Sequence, residues 1–287
     1  MIPEGERIGL LAGRGAFPIH FALAAQHGGH PITALALEGF ASPGLAEHVD
    51  EIHWLGVGQL DTLIRLCHER RIRHLAMAGT IEHSTVFQPG GKIEPRALRL
   101  LLRMQDRRAQ SIFGALVAEL SGEDIEVIES SYFLQDLIPG PGVLTPGRPP
   151  RPAEERDVAF AMPLARELAR LDIGMSLVVK HGAVVAVEGM DGTDATIRRG
   201  GAIAGPGTVV VKASRPRQDF RFDLPIVGQQ TVRTMIEAGT CALAFCAGET
   251  LFFDQAEALA LAESSDIAVV ALAAAPAPFL TEGAPRT

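Results

Sequence analysis

Lys212, Arg215, Arg217, Asp219, Arg221 and Asp223 all fall in VVVKASRPRQDFRFDLPIVG, residues 209–228, between an apolar run and the buried-looking segment LPIVG. Interleaved ammonium, guanidinium and carboxylate groups suit a phosphate anion bound together with its counter-cation. A solvated surface loop would tolerate the same residues, but would rarely lie between two apolar segments. A second group, EGMDGTDATIRRG (188–200), places Glu188, Asp191 and Asp194 between a strand and a helix. Clustered carboxylates suit a hard cation such as Mg2+, which takes oxygen ligands. Alternatively, Thr193 or Asp194 caps the helix. Arg198 or Arg199 would then be free to face a phosphate.

Two glycine turns offer backbone rather than side-chain chemistry. LLAGRGAFP (10–18) is a strand, a turn holding Gly13 and Gly15, and a helix with Pro18 in its first turn, where a missing N–H costs nothing. Amides at such a turn can cradle a phosphate; a plain tight turn is the alternative. A dinucleotide fingerprint would need a third glycine where Pro18 stands, although Glu38 ends the next strand where a ribose-binding acid would lie. AMAGTIEHS (76–84) ends another strand in Gly79 and Thr80, with His83 beyond. Asp172, in ARLDIGMS, follows a helix end, where the macrodipole disfavours an anion. The scattered histidines show no HxH or HExxH spacing, which argues against zinc, and no GxSxG elbow marks a serine nucleophile.

These residues need elements to hold them. ERIGLLAG, PITALALEG, EIHWLGVG, IRHLAMAG and IEVIES predict five strands, with helices between or after them at FPIHFALAAQH, QLDTLIRLCHERR, 94–105 and 109–121. This rhythm predicts a parallel, Rossmann-like sheet over residues 1–137. IPGPGVLTPGRPPRPAEE then reads as a Pro-rich linker, 138–153. Beyond it, a hairpin about His181 and Gly182 and further alternating strands and helices predict a second, smaller, mixed α/β domain over 154–287, the catalytic one. The Ala- and Pro-rich tail after Val270 is expected to fray.

Composition bounds the function. The 287 residues are 47% hydrophobic and 21% charged, as in a folded soluble protein. A net charge of −8 argues against a nucleic-acid partner but not against an acidic ligand in a local basic cleft. Cys67, Cys241 and Cys246 form no CxxC and lie in apolar contexts, so buried free thiols and a reducing compartment are expected. The first apolar run, IGLLAG, is too short for a leader, and no run approaches a membrane span.

The segments LAGRGAFP, AGT, PGVLT, LDIG, EGMDGTD and KASRPRQDFRFDLPIVG, in that order, resemble the LpxI family, the UDP-2,3-diacylglucosamine diphosphatases of lipid A biosynthesis, over about residues 6–270. Met175 stands where that family has Gln after LDIG, and Thr80 where it has Asn. The resemblance implies hydrolysis of the pyrophosphate to UMP and 2,3-diacylglucosamine 1-phosphate (lipid X) by water attack at the UMP-side phosphorus. It also implies a divalent cation, Mg2+ or another such as Mn2+. The aspartate of the family's DLP motif, essential to its catalysis, matches Asp223. On that footing Asp223 and Asp219 are the expected catalytic carboxylates, and Asp223, Asp194 and Glu188 the expected metal ligands. Gly13, Gly15, Gly79, Thr80, Lys212, Arg215, Arg217 and Arg221 are expected to hold the substrate. The expected partner is a lipid-linked sugar nucleotide met in transient contact with the inner face of the inner membrane by a cytoplasmic protein. An exposed apolar patch would serve that contact or a homodimer. Two rival readings remain at this stage: a non-catalytic nucleotide-sugar or lipid binder, and an NAD-dependent oxidoreductase.

Overall fold

The computed structural model describes residues 2–81, 93–104, 109–215 and 218–273. The apolar runs IGLLA and ITALAL are buried at every position, as central parallel strands covered on both faces must be. They form β1 (Ile8–Ala12) and β2 (Ile32–Leu37), joined by α1 (Phe17–His27). β3 (Glu51–Leu55), at the sheet edge, is buried only at its last residue. Helix α2 (Leu60–Glu69), β4 (His74–Ala78), α3 (Pro95–Arg103), α4 (Ala109–Ser121) and the short β5 (Glu126–Val127) complete a parallel sheet of order β3-β2-β1-β4-β5. The order reverses beside β1, so β1 and β4 flank the switch point where ligands of such sheets bind.

The rest of the chain builds a second sheet from β6 (Gly142–Val143), β7 (Ser176–Lys180), β8 (Ala183–Val187), β9 (Thr208–Lys212), β11 (Thr240–Cys246) and β13 (Ala268–Leu272). Its order is β6-β13-β11-β9-β7-β8, with β9, β11 and β13 parallel and β6 and β7 antiparallel to their neighbours. A two-stranded piece pairs β10 (Ile226–Val227) with β12 (Leu251–Phe252). Side chains alternate between faces. Val209 and Val211 pack with Val158, Met162 and Ala165 of α5 (Pro152–Arg170). Val210 packs on the opposite face with Ile197 of α6 (Thr193–Ala204), Met235 of α7 (Gln229–Ala238) and Ala258 of α8 (Gln255–Ser264). The mixed α/β architecture is the expected one.

Residues 138–153 are tied to the second sheet: the Leu144 amide donates to the Val269 carbonyl (2.9 Å), and Thr145 Oγ1 accepts from the Val269 amide (2.9 Å). Arg148 forks onto Glu154 through two 2.6 Å hydrogen bonds, with both side chains only 7% exposed. The prolines lie beside an edge strand, where missing donors are tolerated. Residues 218–224 cluster with the chain up to Asp136, while 137–215 and 225–273 form the second unit. All three cysteines are free; burial pushes the Cys67 and Cys241 thiols up to about 12. Among the described residues no helix is long and apolar enough to cross a membrane.

Candidate active site

At the switch point of the first unit, the chain leaving β1 and the chain leaving β4 lace together. The Gly13 amide donates to the Ala78 carbonyl (2.8 Å), the Arg14 amide to Thr80 (2.8 Å), and the Thr80 amide back to Arg14 (3.0 Å). The glycines permit this approach: a Cβ on Gly13 would stand 2.7 Å from the Thr80 carbonyl oxygen, and one on Gly79 2.7 Å from that of Arg14. The Gly13 and Thr80 amides, expected to cradle a phosphate, are therefore spent on backbone. That also removes a donor the dinucleotide reading needed. Gly15 differs: its φ is +101° and no atom lies within 4 Å of where a Cβ would stand, so backbone is open to an approaching ligand there. The Arg14 guanidinium lies over the Phe40 ring, 5.6 Å from its centroid.

The DFRFD loop docks at the same sheet edge through Ser130, a residue that sequence reasoning passed over. The Ser130 amide donates to the Phe220 carbonyl (2.8 Å), and its Oγ lies 2.6 Å from the Met77 carbonyl oxygen and 2.7 Å from that of Arg221. Phe222 stacks on Phe113 (5.3 Å, 21°) against the first core. Phe222 thus anchors the loop. Asp219 and Arg221 meet each other: Nε and Nη2 of Arg221 donate to the two carboxylate oxygens at 2.8 and 2.6 Å. This fork holds the Asp219 carboxyl below its ordinary range and raises Arg221. One expected catalytic acid and one expected phosphate ligand are thereby committed to a clasp. Asp223 is half-buried, and its amide closes the turn on the Asp219 carbonyl (3.0 Å). Arg217 and His83 lie outside the described residues.

In the second unit, three motifs that are separate in sequence converge. Lys212 ends β9, Ser176 opens the antiparallel β7 directly opposite it, and Glu188 follows β8. Thr193 is the first residue of α6. Lys212 is only 5% exposed, and its Nζ donates to Thr193 Oγ1 (2.8 Å), a neutral hydroxyl rather than a carboxylate. The positive end of α6 lies at the same place. An ammonium buried beside a helix N-terminus and held by a hydroxyl is poised for an anion.

LDIG organises this edge. Asp172 takes a left-handed φ of 57° and ends α5, and its carboxylate receives Arg215 Nη2 at 2.7 Å, each side chain 16% exposed. The guanidinium answers the helix-dipole cost that the sequence left open. Arg215 is thus positioned by Asp172. Met175 donates its amide to Glu188 Oε2 (3.1 Å) and accepts from the Ala213 amide (2.8 Å), tying LDIG between the ends of β8 and β9.

The expected metal ligands separate by chemistry. Glu188 accepts one hydrogen bond on each oxygen, from Met175 N (3.1 Å) and Thr193 Oγ1 (3.0 Å). Asp191 is held by Arg199 (2.9 Å), which lowers its carboxyl. Asp194 stands apart: burial raises its carboxyl against the pull of Arg198 and Lys212. Neither Thr193 nor Asp194 caps α6, whose cap residue is Gly192 with no side-chain bond. Among the described residues no three His, Cys, Asp or Glu side chains group as a metal cage.

The described residues also include a cleft of about 1140 Å3 in the first unit, lined by His74, Glu126, Tyr132, Asp219 and Arg221 among others.

The family described as LpxI N-terminal domain matches residues 7–137, and that described as LpxI C-terminal domain matches 140–270. A UDP-2,3-diacylglucosamine pyrophosphatase LpxI of Caulobacter vibrioides (strain ATCC 19089 / CIP 103742 / CB 15) is 29% identical over 279 residues, spanning 92% of this chain and 97% of that one. A solved glycinamide-RNase-transformylase T from Mycobacterium tuberculosis aligns at 17% identity over 63% of this chain and 44% of that one, with a TM-score of 0.22, too slight a likeness to carry an argument.

Proposed function

The chain belongs to the LpxI family, and from that premise we propose that it is a hydrolase cleaving the pyrophosphate of UDP-2,3-diacylglucosamine. Water attacks the UMP-side phosphorus, the bond from that phosphorus to the bridging oxygen breaks, and UMP and 2,3-diacylglucosamine 1-phosphate leave. The observation that carries the reading is Lys212: a buried ammonium whose hydrogen-bond partner is a hydroxyl, at a sheet edge beside Arg215. Phosphate oxygens accept from its remaining N–H groups. Lys212 binds them as a point charge and Arg215 as a fork held in aim by Asp172. Gly15 gives the nucleotide a place where no side chain intrudes.

Asp223 is the carboxylate we assign to the reacting centre, where it orients the attacking water. Asp219 keeps the loop's shape through Arg221. Asp223 is the side chain we assign to holding Mg2+ or Mn2+. Such an ion, when bound, polarises the phosphoryl group and lowers the pKa of water. The enzyme works in the cytoplasm and meets its lipid substrate at the inner face of the inner membrane.

The test is hydrolysis of UDP-2,3-diacylglucosamine by the purified protein, with Mg2+ or Mn2+ and with excess chelator, products resolved by mass. UMP and the acylated sugar phosphate, formed only with metal, are the expected result. Asp223→Ala should abolish turnover with the melting temperature unchanged. A folded protein that turns nothing over with either ion overturns the reading, and a fully active Asp223→Ala variant overturns the assignment of Asp223.

A further inference from the structure

We infer that Thr193 is the positioning residue for Lys212, a role that rests on the phosphate-binding reading above. A threonine hydroxyl has one proton to give and two lone pairs to receive. Thr193 gives its proton to Glu188 Oε1 at 3.0 Å. Glu188 cannot turn away, because its other oxygen holds the Met175 amide at 3.1 Å. With the proton fixed on that side, both lone pairs of Thr193 Oγ1 face inward. One receives Lys212 Nζ at 2.8 Å and the other faces Ser176 Oγ at 3.2 Å. The hydroxyl is saturated, so its geometry is unique rather than a rotating average.

The consequence falls on the ammonium. Lys212 carries three N–H groups on a flexible stem, and a free lysine would spread them over many directions. One is pinned to Thr193, and burial to 5% exposure restricts the stem. The remaining two are thereby aimed. Glu188 acts at one remove: its oxygens accept from the Met175 amide and the Thr193 hydroxyl, so the remaining N–H groups of the lysine stay available to the phosphate. This explains why an acid and a lysine stand at the same edge with a threonine between them.

The test is a double-mutant cycle on binding of UDP alone, measured by calorimetry and so independent of turnover. Thr193→Val, close in shape, and Lys212→Met should each weaken UDP binding about tenfold or more, the range of a charge-assisted hydrogen bond. The double variant should bind no more weakly than Lys212→Met, because Thr193 acts only through the lysine. Thr193→Ser should restore binding to within about threefold of the parent. Melting temperatures accompany each variant, and Thr193→Ala enters the cycle in place of a valine variant that fails to fold. Additive losses, or parent-like binding by Thr193→Val, overturn the inference. A parent protein that binds no UDP overturns the function itself, which is a different outcome.

Discussion

Gly174→Ala is the substitution that separates positioning from mere stability. A Cβ on Gly174 would stand 2.2 Å from the Glu188 carbonyl oxygen and 2.7 Å from its carbon, against an ordinary contact beginning at 3.4 Å. The obstacle is backbone, so no side chain can swing aside. The two strands must part by about 1.2 Å, the shortfall between ordinary contact and the 2.2 Å approach. That movement acts on the Met175 amide bond to Glu188 (3.1 Å) and on the Asp172 grip on Arg215 (2.7 Å). Overpacking of this kind costs roughly 1–3 kcal/mol. In a protein of this size each kcal/mol shifts Tm by about 2–4 °C. The rate should suffer more than the fold, since a misplacement of about 1 Å can cost on the order of 100-fold in kcat. The assay is steady-state hydrolysis beside calorimetric melting, with Gly189→Ala as control. Gly189 lies in the loop that follows β8, next to Glu188, but its nearest neighbour would be Asp191 Oδ1 at 3.7 Å, ordinary contact. A Gly174→Ala enzyme with kcat within threefold of the control would refute the claim that LDIG sets the geometry of the site.

Glu154→Gln should cost up to roughly 3–5 kcal/mol, because it leaves the buried Arg148 guanidinium with only the exposed Asp266 as its anion; urea unfolding measures it. Burial alone would raise the Glu154 carboxyl, but hydrogen bonds from Arg148 and the Arg151 amide outweigh it and hold the carboxyl below its ordinary value. With the folded pKa below the unfolded one, its contribution is complete above about pH 4.3 and is lost as pH falls through the folded value. The parent's stability should therefore drop more steeply than that of Glu154→Gln on acidification below that point; parallel curves would refute this. Asp219→Asn keeps one acceptor for Arg221 and should lower kcat far less than Asp223→Ala; equal losses would make Asp219 a reacting group. Cys67, buried and pushed up to about 12, should resist alkylation at pH 8 until the protein is unfolded, as mass spectrometry of intact protein would report.

Most strands of both sheets were legible as short apolar runs, β6 excepted, which lay in the expected linker, and strand ends drew attention to Gly13, Gly79, Glu188 and Lys212. The pairings were not legible. Asp172 and Arg215 lie far apart in sequence, and nothing local joins them. Asp219 and Arg221 alternate in the way a strand would, yet a turn brings them face to face. Thr193 read as a cap because threonine before a helix usually is one; only the register of β7 against β9 places it under Lys212. The return of 218–224 to the first unit did leave a trace. Phe220 and Phe222 in so charged a loop required a core to enter, and the first unit's core supplies it for Phe222. Ser130, a small polar residue just past β5, was discoverable by the same strand-end rule that found Thr80.

That return has a bearing on how the protein is made. The first unit is not a continuous stretch of chain: Ser130 has no Phe220 and Arg221 carbonyls to meet, and Phe113 no Phe222 to stack on, until those residues have left the ribosome. At about 5–20 residues per second, the amino-terminal sheet waits several seconds with its loop site vacant while β6 to β9 are synthesised. The two units are therefore not interchangeable cassettes. A gene fragment ending at residue 137 encodes a sheet without its keystone, and the DFRFD loop must be translated before either half is whole.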